Sequence, residues 1–367
     1  MAALMRVLVV NAGSSSIKLA VVDGDDRVVD STHLPDWSGD TEALRGFLET
    51  AEFDAIGHRV VHGGWELTES VRIDDRVESL LHAATPLAPL HQPRALAGIR
   101  AVRELLPSCP EAACFDTSFH ADLPEPSATY ALPREWRRGL GIRRFGFHGL
   151  NHAYVAGRTA RMLDRDVGGL RTVSCHLGSG ASLCAIDGGR SVDTTMGFTP
   201  LEGLVMSTRA GTIDPGIVTW LSGERGMPVD EVLEALETQS GLLGLSGVSG
   251  DLAKVIAARD RGDAEGALAV EVYLHRLVAS IAAMAATMGG LDALVFTAGV
   301  GENAVSVRQE TARRLGFLGV SIDEAANATC TPDADVTEPG ARVHTLVVAA
   351  REDLEVARET RDVLADR

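Results

Sequence analysis

The chain has 367 residues, room for roughly two domains, and its 51 acidic against 34 basic residues give a net charge of −17 at neutral pH. That balance argues against general binding to nucleic acid or to anionic membrane surfaces, so an anionic ligand needs a local cluster of Arg, Lys and His. Five scattered cysteines without a Cys-x-x-Cys pair suggest neither a disulfide framework nor a zinc site, and they fit a reducing cytoplasm.

The N-terminus runs straight into a strand with no signal-peptide pattern. Residues 7–23 read as a β-hairpin: apolar, β-branched runs at 7–10 and 17–22 close around Asn11, Gly13, Ser14, Ser15, Ser16 and Lys18. Gly13 permits backbone N–H groups to converge, and Ser hydroxyls with Lys18 nearby suit a phosphate, although an ordinary hairpin with a polar tip has the same pattern. A turn at Asp23-Gly24-Asp25 precedes a polar stretch with a short helix expected over residues 41–50. Residues 55–64 form an apolar strand ending in His58, Arg59, His62 and a Gly pair, placed either to clamp an anion or simply as solvated side chains at a strand end. Proline punctuation at 86–93 leads into a helix expected over 94–106. Residues 112–120 read as a strand ending in Asp116, whose place at a carboxyl end suits metal or base chemistry or a helix N-cap. A Pro-rich segment follows, and a domain boundary is expected near His120.

Beyond it, Gly146-Phe147-His148-Gly149 leads into a helix expected over 153–164. Residues 171–188 then repeat the opening pattern, with Gly178 aligned to Gly13 and Asp187 to Asp23. Two Gly/Ser hairpins suggest a cleft in which both loops face one polyphosphate, as in an actin-like, ribonuclease-H-type ATPase with a mixed sheet and helices in each half. No Gly-x-x-x-x-Gly-Lys-Ser/Thr occurs, which argues against a P-loop fold. A loop-rich stretch over 194–216 carries Arg209 amid small residues. The apolar window over 267–296, interrupted by Glu271, His275, Arg276 and Asp292, suits a buried helix and a following strand. Residues 294–304 give a strand, a Gly-x-Gly-x-x-Ala turn and a helix; this also matches a dinucleotide fingerprint, but nothing upstream supplies the rest of a Rossmann half. A strand is expected over 343–349. Glu352 opens the last helix, where an acid also simply complements the dipole.

In this order, Asn11-Ala12-Gly13-Ser14-Ser15-Ser16-Ile17-Lys18, Gly57-His58-Arg59-Val60-Val61-His62-Gly63-Gly64, Phe115-Asp116-Thr117, Gly146-Phe147-His148-Gly149, His176-Leu177-Gly178, Met206-Ser207-Thr208-Arg209, Asp214-Pro215-Gly216, Thr297-Ala298-Gly299-Val300-Gly301-Glu302-Asn303 and Glu352-Asp353-Leu354 resemble the acetate kinase family nearly end to end. The resemblance implies a two-domain actin-like ATPase fold, with residues 1–120 and 355–367 in one domain and 121–354 in the other. It implies reversible transfer of the ATP γ-phosphoryl group to acetate or another short-chain carboxylate such as propionate, with Mg²⁺ or Mn²⁺, in a cytoplasmic homodimer. Arg59 would grip the carboxylate, Arg209 the migrating phosphoryl, and His148 would donate to it in the transition state. Asp116 and Glu352 are the acidic pair, Glu352 and Asn11 at the metal and Asp116 at the metal or orienting an arginine.

Ser14, Ser16, Lys18, His176, Gly178, Ser179 and Gly180 would meet the phosphates. Asp251, Gly299, Val300, Gly301 and Asn303 would form the nucleoside pocket, and Val61, Leu90, Phe147 and Pro200 the acyl wall. The chain departs from the family pattern at Ser179, Ser207, Thr212 and Arg351, where Asn, Gly, Asp and Asn are usual, and it is shorter, mostly between Asp23 and Ala55.

Overall fold

The structure is a computed structural model and describes residues 5–13, 16–89 and 91–365. The chain divides into two compact units: unit 1 takes Met1–Ala121, Phe147–Tyr154 and Arg351–Arg367, and unit 2 takes Asp122–Gly146 and Val155–Ala350.

Unit 1 is built on β1 (Val7–Ala12), β2 (Ser16–Val22), β3 (Val28–Pro35), β4 (Ala55–Val60), β5 (Val71–Arg72) and β6 (Glu111–Phe115), in the order β3-β2-β1-β4-β6-β5. β1 and β2 pair antiparallel, as do β2 and β3, whereas β1, β4 and β6 run parallel. The central strands are covered on both faces, which is why they read as near-continuous apolar runs. Ile56 packs in a cluster with Leu8, Val10, Ala101 and Val102, the last two on the Gln92–Leu105 helix. The next residue, Gly57, faces the other way, where a Cβ would meet Thr360 Oγ1 at 2.3 Å on the Glu352–Ala365 helix. Successive strand residues alternate sides, so these helices cover opposite faces of the sheet.

Unit 2 repeats the plan with β7 (Arg171–Leu177), β8 (Ala181–Asp187), β9 (Arg190–Thr194), β10 (Ala293–Thr297), β11 (Ala334–Asp335) and β12 (His344–Val347), in the order β11-β12-β10-β7-β8-β9. Each sheet thus has three antiparallel strands, then two parallel ones, then a two-residue antiparallel edge. This is the duplicated two-domain ATPase fold. The duplication first visible at the hairpins extends to all six strands. In each hairpin a glycine N–H at the end of the first strand bonds back to a carbonyl near the start of the second: Gly13 N–H donates to Ser16 O at 2.8 Å, and Gly178 N–H to Gly180 O at 3.0 Å.

The Ala264–Thr287 helix is long and apolar enough to cross a membrane by length and composition alone. It packs on β7, β8 and β9 and buries Val270, Leu274, Leu277 and Ile281, as the 267–296 window led us to expect. The helix expected from residue 153 begins earlier, as Gly149–Met162. Its start carries no Ser, Thr, Asp or Asn cap; Gly149 is required there because a Cβ would meet Asp116 O at 2.4 Å.

One carboxyl outside the candidate site matters to stability. Glu359, on the Glu352–Ala365 helix, accepts a hydrogen bond from Ser70 beside Cys114. Burial pushes its pKa up from 4.5 to about 7, helped by Glu355 and Asp362 and opposed by the Ser70 hydroxyl. The folded protein therefore holds this proton over a window in which the unfolded chain has lost it. Stability from this group is full below pH 4.5 and is lost as pH rises through about 7. Glu359→Gln is expected to remove that fall and to be more stable than the parent at pH 8 by about 2 kcal/mol, measured by urea unfolding at pH 5 and 8. Equal pH slopes in the two proteins would refute it.

Candidate active site

In unit 1 the carboxyl ends of three adjacent parallel strands deliver the polar side chains. Asn11 lies at the end of β1, Arg59 near the end of β4, and Asp116 directly after β6. Such ends are where ligands bind in open α/β sheets. Arg59 is bidentate to Asp116, Nε donating to Oδ1 at 3.1 Å and Nη2 to Oδ2 at 2.7 Å. Its Nη1 reaches Glu352 Oε2 at 3.1 Å and donates to Asn11 Oδ1 at 3.3 Å. The Asp116 side chain is 2% exposed and those of Arg59 and Glu352 18% and 16%. Burial alone would lower the Arg59 pKa; Asp116 and Glu352 outweigh it and hold the guanidinium above its usual range. Two carboxylates against one guanidinium leave this cluster with a formal charge of −1.

The histidines flanking Arg59 do not join an anion clamp. His58 is buried and pairs with Glu111 Oε2 at 3.1 Å, while Glu111 Oε1 accepts from Arg103 Nε at 3.3 Å. His62 is fully buried, and desolvation lowers its pKa to about 4, so it is neutral at pH 7. Its Nδ1 accepts from Gly64 N–H at 2.8 Å, and its ring meets the edge of Phe147 at 5.5 Å. Strand alternation explains the difference, since His58 and Arg59 point to opposite faces.

Phe147 is buried, and Val61 is partly buried next to His62. His148 adopts φ 57°, a left-handed conformation costing a non-glycine residue about 1–2 kcal/mol. Ser16 is partly buried in the hairpin; Lys18 is exposed and lies cross-strand from Asn11, on the same face. Ser14 and Leu90 fall outside the described residues.

In unit 2 the β7–β8 turn places Gly178, Ser179 and Gly180 after the buried His176. β10 leads through Ala298, at φ 64°, into the Ala298–Asn303 helix, where Asn303 Nδ2 donates to Gly299 O at 2.8 Å. A Cβ on Gly301 would sit 3.2 Å from Phe296 C, so the helix lies close on its strand. Asp251 caps the Leu252–Asp260 helix, accepting from Ala253 N–H at 3.0 Å.

A cavity of about 840 Å³ joins Gly178, Ser179, Asp251, Gly299, Val300 and Asn303, within the usual size of a ligand pocket. His176, Gly180 and Gly301 do not line it. Leu242, Ile256 and Tyr273 do, and sequence reading missed them because apolar helix residues read as core. Two of the family departures meet here, as Ser207 N–H donates to Ser179 O at 3.1 Å. A larger cavity of about 1030 Å³ in the same unit faces Glu271, Glu310, Asp323, Glu324 and Glu338 against only Arg259 and Arg313. That charge repels a polyphosphate, which favours the smaller cavity.

Arg209 stands on a loop cradled by Gly241, whose Cβ would lie 2.2 Å from Met206 O and 2.7 Å from Arg209 O. Its Nη1 donates to Pro200 O at 2.7 Å, bringing those two expected site residues together. Burial lowers the Arg209 pKa, Glu237 only partly offsetting it, and Arg209 forms no ion pair among the described residues. Of the other departures, Arg351 pairs with Asp353 at 3.2 Å, and Thr212 Oγ1 accepts from Gly203 N–H at 3.2 Å.

The Acetokinase family matches residues 40–358. The chain is 46% identical over 341 residues to the acetate kinase of Gloeobacter violaceus, covering 92% of this chain and 83% of that one. It is 40% identical to the acetate kinase of Halothermothrix orenii over 97% and 98% of the two chains. Among solved structures, Porphyromonas gingivalis acetate kinase superposes with a TM-score of 0.90 at 34% identity, over 98% of this chain and 100% of that one. A propionate kinase from Francisella tularensis does so with 0.91 at 35%, over the same shares. With these motifs on these strand ends and matches over nearly its whole length, the chain belongs to the acetokinase family of phosphotransferases.

Proposed function

We propose that the protein is an acetate kinase that transfers the terminal phosphoryl group of ATP to acetate, reversibly, giving acetyl phosphate and ADP. A carboxylate oxygen bonds to the γ-phosphorus as the bond from that phosphorus to the β–γ bridging oxygen breaks, and ADP leaves with the electron pair. Such a transfer needs mainly alignment and neutralisation of charge. Arg209 carries this reading: a desolvated arginine with no carboxylate partner among the described residues is a cation held for an anion.

The groups assigned to the acceptor lie in unit 1. Arg59, oriented by the bidentate Asp116, offers its charge to the carboxylate, while Val61, Phe147 and Leu90 take the methyl group. Neutral His62 supports this, because it keeps the Phe147 wall uncharged at pH 7. His148 donates to the transferring phosphoryl. The groups assigned to the nucleotide lie in unit 2, with Gly178, Ser179, Asp251, Gly299, Val300 and Asn303 around the cavity.

Asn11 and Glu352 are the residues that would hold Mg²⁺, or Mn²⁺ in its place. Their oxygens converge on one nitrogen, Arg59 Nη1, in a cluster of net charge −1, and hard oxygen donors in small number suit Mg²⁺ with water and phosphate completing the shell. The ion supplies neutralisation of phosphate charge. Arg59 Nη1 is shared by Glu352 and Asn11, so a carboxylate taking that nitrogen releases both of their oxygens.

Purified protein with ATP, Mg²⁺ and acetate is expected to yield an acyl phosphate that hydroxylamine traps as a hydroxamate. A wall of this kind discriminates one methylene by about 1–3 kcal/mol, so propionate is expected to react more slowly but measurably. No hydroxamate from acetate, propionate or butyrate would end the kinase reading.

A homodimer is part of this proposal. Ile217 and Trp220 on the Gly216–Glu224 helix, and Val229 and Leu233 on the Val229–Thr238 helix, are 45%, 50%, 51% and 46% exposed, and nothing on the first helix is buried. Sedimentation equilibrium should give twice the 38.8 kDa chain mass; Trp220→Glu should shift it toward the single-chain value. A single-chain mass in the parent would refute the dimer. ATP as donor and five free thiols support a cytoplasmic setting.

A further inference from the structure

His148 holds its left-handed backbone through hydrogen bonds on both sides. Gly149 N–H donates to Asp116 O at 2.8 Å, and His152 N–H donates to His148 O at 3.0 Å. On the other side the Phe147 carbonyl meets His120 Nε2 at 3.1 Å. A carbonyl only accepts, so His120 carries its proton on Nε2. The first two bonds are made by main chain, and the third depends on a side chain. His120 is fully buried, and its ring lies edge-on to His152 and Phe119, each at 5.8 Å.

His120 ends the short turn Ser118–His120 that follows Asp116 almost directly. The turn leaving β6 therefore supplies both the Asp116 carbonyl beneath Gly149 and the imidazole beneath Phe147. It also presents the Asp116 carboxylate to Arg59. One turn thus fixes the arginine for the carboxylate and the backbone that carries the histidine for the phosphoryl group.

We propose that His120 is a positioning residue for phosphoryl transfer: its Nε2–H, held against the Phe147 carbonyl, sets the backbone from which His148 is presented. The proposal rests on the role given to His148 above. A carbonyl left buried without its donor is unfavourable, so the Phe147–His148 peptide would turn to find another partner and carry the imidazole with it. A misplacement of about 1 Å at a reacting group can cost roughly 10²-fold in rate.

The test compares kcat and KM in His120→Leu, His120→Gln, His120→Asn, His148→Ala and the His120→Leu/His148→Ala pair, each checked for folding by circular dichroism. Gln can bring an N–H to the place of Nε2, whereas Asn is too short. We expect His120→Leu and His120→Asn to lower kcat by about 30- to 100-fold with KM for acetate and ATP within roughly threefold. His120→Gln should stay within about fivefold of the parent. Because His120 acts through His148, adding His120→Leu to His148→Ala should change kcat by less than about twofold. A full additive loss in that background overturns the proposal and leaves the reading of His148 intact. Wild-type kcat in His120→Asn also overturns it, and covers the case in which the Leu variant does not fold. Wild-type turnover in His148→Ala removes the reading itself, and the proposal with it.

Discussion

Arg209→Ala is expected to lower kcat for acyl phosphate formation by about 10³-fold or more, the scale on which arginines stabilise charge in phosphoryl transfer, while the protein stays as stable as the parent. The two halves of that expectation come from one observation. Arg209 is desolvated enough for its pKa to fall, yet among the described residues its guanidinium makes a hydrogen bond to Pro200 O and no ion pair. Removing it strands no buried carboxylate. The fold loses a charge whose burial was a cost, so thermal unfolding should move little or upward. The reaction loses the cation poised for the transferring group. Arg209→Lys should recover only part of the rate, because an ammonium offers a point charge in place of a planar fork. Steady-state kinetics beside a melting curve decides the matter: turnover within tenfold of the parent, or a collapse in stability that accounts for the loss, would remove the assigned role.

The two arginines assigned to the site were legible in the sequence for a physical reason. A charged residue between an apolar strand and glycines, in a chain of net charge −17, has few structural explanations. Asp116 and Glu352 were visible as acids at strand and helix ends, but only the structure shows that both lean on Arg59. The duplication was readable at the hairpins, where β1 and β7 are buried runs, and not at β3, whose residues Val28 to Thr32 are largely exposed and mix polar with apolar types. An edge strand exposed in this way shows no period-two pattern. His58 and His62 misled for the opposite reason, since nothing in their spacing says that a histidine is buried and neutral or tied to Glu111. The walls of the 840 Å³ cavity in unit 2, Tyr273 and Ile256 among them, were hidden because a residue lining a pocket and a residue filling a core have the same composition.

Arg59→Ala should fail in the way that Arg209→Ala should not. Its guanidinium is a counter-charge for Asp116, 2% exposed, and for Glu352, 16% exposed. Deleting it leaves a buried carboxylate without its partner, and breaking such a pair costs about 3–5 kcal/mol. We therefore expect a loss of stability of about 3 kcal/mol in urea unfolding, together with a fall in kcat/KM for acetate of about 10³-fold, the loss being shared between KM and kcat. The two effects separate in the double variant. Arg59→Ala/Asp116→Ala removes the stranded charge as well as the arginine, so most of the stability should return while activity stays down. If the double variant is as unstable as Arg59→Ala alone, the arginine is holding the fold through its packing and its pairing with Asp116 is not the cause. If activity returns along with stability, Arg59 serves the sheet and not the carboxylate. Recovery of stability without activity means that Asp116 is there to keep Arg59 charged and aimed, and that the fold accepts a buried ion pair at the end of β4 for the sake of the substrate.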